Sequence, residues 1–498
     1  MVAHFLRPDQ PQRRAVCRKV GTAVVRGGRY NRAVRTLRTR TALALGAALC
    51  LAGCGRDRSG VHQGHAGSGA AVGAGGGRVV IVGIDGADWR VIDPLIQQGR
   101  LPSFKRIVSE GASGVLQSME PSASPSLWTT IATGVAPDRH GIHGFVVGQG
   151  GSGGQAAVGG EEAPGAGAGD VRPVTSTMRT APAFWNILPE QGRKVGVVGW
   201  LVTWPAEPVD GFMVSSYLPY VYNWSTGRPL KGTIVAGIPR QTFPEGLIDS
   251  LEPLKVKPAD LDEAAIRRFY DPARTASLSP STRDCVTGFL WSLACDETYR
   301  RIGLKLFDTY PVDLFAVYFG GVDVASHRFW KFSHPRDLDY GVDPREASVL
   351  GGVIDAYYAY VDAILAEYLS RLGERDTLVV LSDHGFKPVL FPGRPNTSGH
   401  HRMEGILAVW GRGAARGARI EGARLLDVLP TIFYLLDVPL ARDLPGRVLT
   451  QALEPGLVAS RAPRFVESYA SAGRPAGPEA SDLDRNVLER LRSLGYIN

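Results

Sequence analysis

The chain has 498 residues, of which 44% are hydrophobic and 21% charged. That length suits one large α/β domain with insertions, or two to three average domains, and the composition excludes a wholly disordered, a collagen-like or a polytopic membrane protein. The net charge of +8 belongs to the first 53 residues, which hold 11 Lys/Arg and one acid, Asp9, and leave 45 basic against 47 acidic residues beyond them. No nucleic-acid-binding surface is therefore expected. Glycine is uneven as well, with nine of 61 in 55–77 and ten in 148–169.

Residues 41–53 (TALALGAALCLAG) form an uncharged apolar run behind Arg32, Arg35, Arg38 and Arg40. A helix needs about 20 residues to cross a bilayer core, so this run is too short. A basic segment before a short apolar one reads as a secretory signal over 1–53. Its basic part is long for such a signal, which places the true start downstream of Met1. Leu51-Ala52-Gly53-Cys54 resembles the lipobox of bacterial lipoproteins. That resemblance implies cleavage before Cys54, diacylation of its thiol and an extracytoplasmic protein anchored to a bacterial membrane by lipid, at the periplasmic or the cell-surface side. Gly55, rather than Asp, leans towards an outer membrane. Residues 54–77 read as a Gly-rich tether, with His62 and His65 as solvated linker.

From Arg78 the pattern becomes that of an α/β core, with a mostly parallel central sheet and helices on both faces. Val79–Ile84 is a continuous apolar strand running into Asp85. Residues 102–111 read as a helix, with Pro102 near its start and Gly111 closing it. Residues 148–169 read as a disordered insertion. A helix over 182–191 and a strand over 194–199 complete the first part of the core, 78–205. Residues 206–290, rich in Pro, Tyr and turns, read as an inserted cap or substrate region over the sheet. The second part, 291–498, begins with a helix to about 309 and the strand Leu314–Phe319, which turns into Asp323. A helix through Val353 to Leu372, the strand Thr377–Leu381 and an apolar helix over 425–436 follow. A last helix in the tail is marked by Ser481, Asp484 and Gly495. Cys285 and Cys295 lie ten residues apart in a helical pattern, about 15 Å along its axis, and so read as two thiols rather than a bridge.

Three buried strands each run into metal-competent residues: Asp85, Asp323, and Asp383 with His384. Ligands of open parallel sheets bind beyond the carboxyl ends of the strands, so these acids should converge. His327 follows Asp323 by four residues, and Gly399-His400-His401-Arg402 lies further on. One acid at a strand end is usually a helix cap. Three, two of them with a histidine, point to a dinuclear site of Asp and His ligands, suited to two divalent cations and to displacement at phosphorus. The hydroxyl-rich segment from Ser122 to Gly134 looks like a loop entering a helix and offers candidate nucleophiles, although such residues are usually caps.

IVGIDG, SPSLWTTIATGVAPDRHGIHGF, GVDVASH, LSDHGF and SGHHRMEGIL, in that order, resemble the alkaline phosphatase superfamily, and within it the bacterial type I phosphodiesterase/nucleotide pyrophosphatase group. VGVVGWLVTWPAEPVDG, LLDVLPTIFYLLDVPLARDLPGRVL and LRSLGYIN are similar to the same group. The resemblance implies an alkaline-phosphatase-like fold and a metal-dependent hydrolase of phosphate esters. It implies one cation among Asp85, Ser124, Asp383 and His384, and a second held by Asp323, His327 and His401. The cations would be zinc, with manganese as the alternative. By the same resemblance Ser124 is the nucleophile, with Ser122 and Ser126 as runners-up, and His401 is preferred to His400 because the family's ligand precedes Arg. His140 and His143 read as structural and His334 as surface.

A sulfatase on the same fold would carry Arg two residues after the proline that follows its nucleophile, and this chain does not. A phosphoglycerol- or phosphoethanolamine-type transferase, a phosphomonoester hydrolase and a non-enzymatic surface lipoprotein are the other readings. Trp128, Trp200, Trp204, Tyr217 and Tyr220 could form an apolar surface for the second ester group of a diester, though core is the ordinary place for each. The expected partner is a phosphate-ester small molecule or a lipid or glycan headgroup.

Overall fold

The computed structural model describes residues 77–148, 171–219, 221–222, 232–233, 238–390 and 396–469. The signal segment, Cys54, the tether up to 76, most of the 148–169 insertion, Tyr220 and the tail helix at 481–495 lie outside the described residues. In chain order, the elements that build the site are β1 (Val79–Ile84), α1 (Trp89–Gln97), α2 (Pro102–Glu110), β2 (Ala112–Gln117), α3 (Ser124–Thr133), α4 (Phe184–Glu190), β3 (Val195–Val198), β4 (Gly211–Val214) and β5 (Thr242–Phe243). They continue with α5 (Pro280–Thr309), β6 (Leu314–Phe319), α6 (Gly321–Ser333), α7 (Val353–Leu369), β7 (Thr377–Leu381), β8 (Gly385–Pro388), β9 (Gly399–Arg402), β10 (Glu404–Gly411), β11 (Arg419–Arg424) and α8 (Leu425–Leu435).

Nine strands form one sheet in the order β11-β2-β10-β7-β1-β6-β3-β4-β5. Its centre, β7-β1-β6-β3-β4, is parallel. Antiparallel pairings attach β10 to β7, β2 to β10 and β5 to β4. Every residue of β1, β6 and β7 is buried, as strands covered on both faces require. Alternate side chains feed two cores: Val80, Val82 and Ile84 pack with α1, α2, α5, α6 and α7, while Val79 and Ile81 pack with α3, α4 and α8 on the other face. The sheet is thus the mostly parallel, doubly covered one expected.

Two boundaries differ from expectation. Strands β4 and β5 lie inside the region assigned to a cap, yet both belong to the central sheet. Four- and two-residue strands are too short to show a hydrophobic period. Helix α5 begins at Pro280, not near 291: Ser279 caps the N–H of Thr282 and Pro280 opens the first turn. Cys285 and Cys295 both lie on α5, and no disulfide joins them, as expected. Among the described residues, the longest apolar helical stretch, Pro344–Leu369, is built into the core through Val353, Ile354, Tyr357, Val361 and Leu365.

Candidate active site

In the parallel register Ile84 lies beside Phe319 and Gly83 beside Leu381, so β1, β6 and β7 end at one edge of the sheet. Asp85 follows β1 directly, and Asp383 and His384 follow β7. Asp323 lies in the first turn of α6, and His327 lies one turn later on the same face. The β8–β9 hairpin brings His401 back over the sheet edge, paired with Phe386. Ser124 is the first residue of α3, whose N-cap, Ala123, offers no side-chain acceptor. The positive end of that helix therefore favours negative charge on the Ser124 oxygen. Gly86 (φ +72°) makes the turn after Asp85; a Cβ there would meet Phe386 at 2.5 Å and the Asp323 backbone at 3.0 Å.

The seven residues fall into two abutting groups. Asp85 Oδ1 lies 3.4 Å from Ser124 Oγ and 3.2 Å from His384 Nε2, which is 3.6 Å from Asp383 Oδ2. Asp323 Oδ1 lies 3.4 Å from His327 Nε2 and 3.5 Å from His401 Nε2, and those two nitrogens are 3.0 Å apart. Ligand atoms about 2.1 Å from a tetrahedral cation sit about 3.4 Å from one another, which matches both groups. The groups meet where His384 Nε2 lies 3.8 Å from Asp323 Oδ1, with the His384 and His401 rings stacked at 3.7 Å.

Each histidine offers the same nitrogen. Nδ1 of His327, His384 and His401 sits 2.8, 3.2 and 2.7 Å from the carbonyl oxygens of Gly399, Gly385 and Ser122. Nδ1–H therefore donates to backbone, and Nε2 is the nitrogen left facing the centre. Both carboxylate oxygens of Asp383, Oδ1 of Asp323 and Nε2 of His384 are buried without a hydrogen-bond partner. Orphaned buried acceptors are costly, and these converge; the donor set fits divalent cations.

The electrostatics agree. Burial, then the neighbouring Asp85, holds the Asp383 carboxyl well above the usual carboxylate range. Burial disfavours a charged His384, but Asp383 and Asp85 outweigh it and raise the imidazole to about 10. Burial also opposes ionisation of Asp323, yet His327 and His401 hold it well below its ordinary value. Burial, then His384, pushes His401 down to about 4. A centre without cations therefore retains protons around Asp383 and His384.

The supporting residues were not legible in the sequence. Trp128 Nε1 and Tyr318 O–H donate to Asp85 Oδ2 at 3.2 and 2.5 Å, which turns Oδ1 towards Ser124 and His384. Asp88, fully buried, accepts from the backbone N–H of Arg90 and Phe386 and from the Arg402 guanidinium, so it ties the hairpin to the start of α1. The Ser122 carbonyl orients His401, while its N–H donates to Glu120. Ser126 is buried further along α3 and has no link to the two groups.

His140 is structural: it is buried, its Nε2 is 3.0 Å from Thr130 Oγ1, and burial, then His143, lowers it to about 3. His143 is exposed. His334 is not a surface residue but half-buried, stacked on Trp330 at 4.6 Å. His400 sits further out, 6.3 Å ring to ring from His327. Trp128 and Trp200 are core, packed edge-to-face at 5.0 Å. Trp204 and Tyr217 instead line a shallow open pocket with Pro125, Phe145, Val174, Leu201, Val202 and Ser216. Pro125 is the neighbour of Ser124, and among the described residues no charged side chain lines the pocket.

The solved structures similar to this chain include phosphonoacetate hydrolase from Sinorhizobium meliloti 1021, at 21% identity over 63% of this chain, with a TM-score of 0.34. This chain covers 57% of that protein's length. Murine ectonucleotide pyrophosphatase/phosphodiesterase 5 is 12% identical over 76% of this chain and 100% of its own, with a TM-score of 0.42. A 2-O GAG sulfatase is 11% identical over 84% of this chain and 91% of its own, with a TM-score of 0.43. No curated protein sequence matches the chain. The family model for type I phosphodiesterase/nucleotide pyrophosphatase matches residues 79–427, well over half of the chain and a span that contains Asp85, Ser124, Asp323, His327, Asp383, His384 and His401. The chain therefore belongs to the type I phosphodiesterase/nucleotide pyrophosphatase family.

Proposed function

We propose that the protein is a two-metal phosphodiesterase with Ser124 as its nucleophile. The observation that carries this reading is the convergence of three carboxylates and three Nε2 atoms, several of them buried without partners, beside a serine at a helix start. Asp85, Ser124, Asp383 and His384 would hold one divalent cation, and Asp323, His327 and His401 the other. His384 is placed with the first group because it lies 3.2 Å from Asp85 and 3.8 Å from Asp323. Zinc suits these ligands, with manganese as the alternative. Bound cations supply Lewis-acid charge that favours an ionised serine and neutralises phosphate oxygens.

The chain's own residues do the rest. Asp85 Oδ1 faces Ser124 Oγ and accepts from its hydroxyl, which aims a lone pair outward. Ser124 loses its hydroxyl proton to solvent, the Oγ–P bond forms in line as the ester P–O bond breaks, and the departing alkoxide takes up a proton. Water then attacks the phosphorus of the seryl phosphodiester, releases the phosphate monoester and restores the serine. The apolar pocket beside Pro125 suits the second ester group of a diester. A small-molecule diester, or the headgroup of a lipid or glycan, fits this description.

The test compares bis-p-nitrophenyl phosphate, p-nitrophenyl phosphate and p-nitrophenyl sulfate with and without added zinc. The diester should turn over fastest, and chelation should abolish the rate. Preference for the monoester or the sulfate would refute the diester reading, and phosphoryl transfer to an added glycerol acceptor would reveal a transferase.

We also propose that Cys54 carries the lipid anchor and that the enzyme works outside the cytoplasm at a bacterial membrane. Cys54→Ala should shift the protein from the membrane to the soluble fraction with activity unchanged. A variant that still pellets with membranes contradicts the anchor.

A further inference from the structure

Asp296, on α5, is not part of either ligand group, yet it is 1% exposed and faces the start of α6. Its Oδ1 accepts the backbone N–H of Gly320 at 3.0 Å, and its Oδ2 accepts that of Gly321 at 3.0 Å and the Tyr357 hydroxyl at 2.9 Å. Gly320 is the N-cap of α6 and has no side chain to cap it. Asp296 thus supplies from another helix the cap that the sequence of α6 lacks. The fit is close: a Cβ on Gly321 would lie 1.7 Å from the Tyr357 hydroxyl, and one on Gly320 would lie 3.1 Å from the Tyr318 hydroxyl. Tyr318 is the donor that turns Asp85. One turn therefore joins the two ligand groups, and Asp296 holds it.

We propose that Asp296 is a positioning residue for the second cation: by pinning the first turn of α6, it fixes Asp323 and His327 at the spacing that cation needs. The inference rests on the assignment of Asp323, His327 and His401 to one cation. Asp323 is the third residue of α6 and His327 follows one turn later, so a frayed first turn moves the carboxylate relative to both imidazoles. The fully satisfied carboxylate of Asp296 has no other visible task. Burial raises it to about 7, partly offset by Tyr357 and the two glycine N–H groups, so those donors are what make the charged group tolerable there. An Asn at this position presents an NH₂ group to one of the two backbone N–H donors and so cannot cap both.

The test is zinc titration of chelator-stripped full-length protein against a competing chromophoric chelator, for wild type, Asp296→Asn and Tyr357→Phe. Wild type should bind two ions. Asp296→Asn should keep one site at wild-type affinity and weaken the other by about 10- to 100-fold, the range typical for loss of an outer-shell partner. Tyr357→Phe, which leaves both caps in place, should weaken the same site by about fivefold and serves should Asp296→Asn not fold. Raising zinc should restore kcat in both variants, a rescue that a purely structural role would not give. Two undisturbed sites in the variants, or equal weakening of both sites, overturn the positioning role. A wild type that binds a single ion overturns the two-cation reading itself, and the inference with it.

Discussion

Ser124→Ala is expected to lower kcat on a phosphodiester by at least 10³-fold, towards the roughly 10⁶-fold cost of removing the nucleophile of a hydrolase. The size follows from what the serine does. It is the only hydroxyl in the ligand cluster, 3.4 Å from Asp85 and placed at the positive end of α3. A residual rate should persist, since water can still attack a phosphate bound among the same charges. Metal content and thermal stability should hold, because Asp85, Asp383 and His384 remain around the first cation. Ser122→Ala should cost little: that residue contributes its carbonyl to His401 and its N–H to Glu120, neither from the side chain. Steady-state kinetics with elemental analysis check this. A wild-type kcat in Ser124→Ala would mean that another hydroxyl in the segment attacks.

The second large effect concerns Asp383. Asp383→Asn should abolish diester hydrolysis and lose one cation, exceeding the 10- to 100-fold cost of an outer-shell change. In metal-free protein the same substitution should raise stability, the opposite of its effect on function. The carboxylate is buried, faces Asp85 and accepts no hydrogen bond. Its folded-state pKa is raised above the unfolded value, so it holds extra protons when folded. Stability is then fully present below the unfolded pKa and is lost as pH rises through the folded one. Chelated wild type should therefore unfold at falling temperature as pH rises above the ordinary carboxylate range, and Asp383→Asn should show a shallower decline. His384, raised to about 10 beside it, keeps its own proton across neutral pH, so binding cations must displace protons and zinc affinity should increase with pH. Calorimetric melts of both proteins in chelator across pH 5–9 check the sign. A metal-free variant less stable than wild type at pH 8 would contradict it.

The central strands were legible because burial on both faces leaves a continuous apolar run: Val79–Ile84, Leu314–Phe319 and Thr377–Leu381 lie where the sequence placed them. The acids were legible because each follows such a run, and parallel strands carry their ends to one edge. Strand β2, ASGVLQ, shows no clean alternation, since it is half-exposed and held between β10 and β11. The β8–β9 hairpin was missed for a different reason. Its four-residue strands are fixed by Asp88, whose partners Phe386 and Arg402 lie about 300 residues away in the chain. Trp128 and Tyr318 read as core aromatics, and they are core; only the direction of one N–H and one O–H makes them orienters of Asp85. Asp296 sits mid-helix, where an acid ordinarily reads as solvent-facing.

The most direct test of the account is mass spectrometry of the zinc-loaded enzyme, acid-quenched during turnover of a diester and digested. The peptide spanning Ser122 to Thr133 should carry the phosphoryl group with the diester's second ester group still attached, located on Ser124 by fragmentation and absent from Ser124→Ala. That adduct on Ser122 or Ser126 instead, or full turnover with no modified peptide at any quench time, would contradict it.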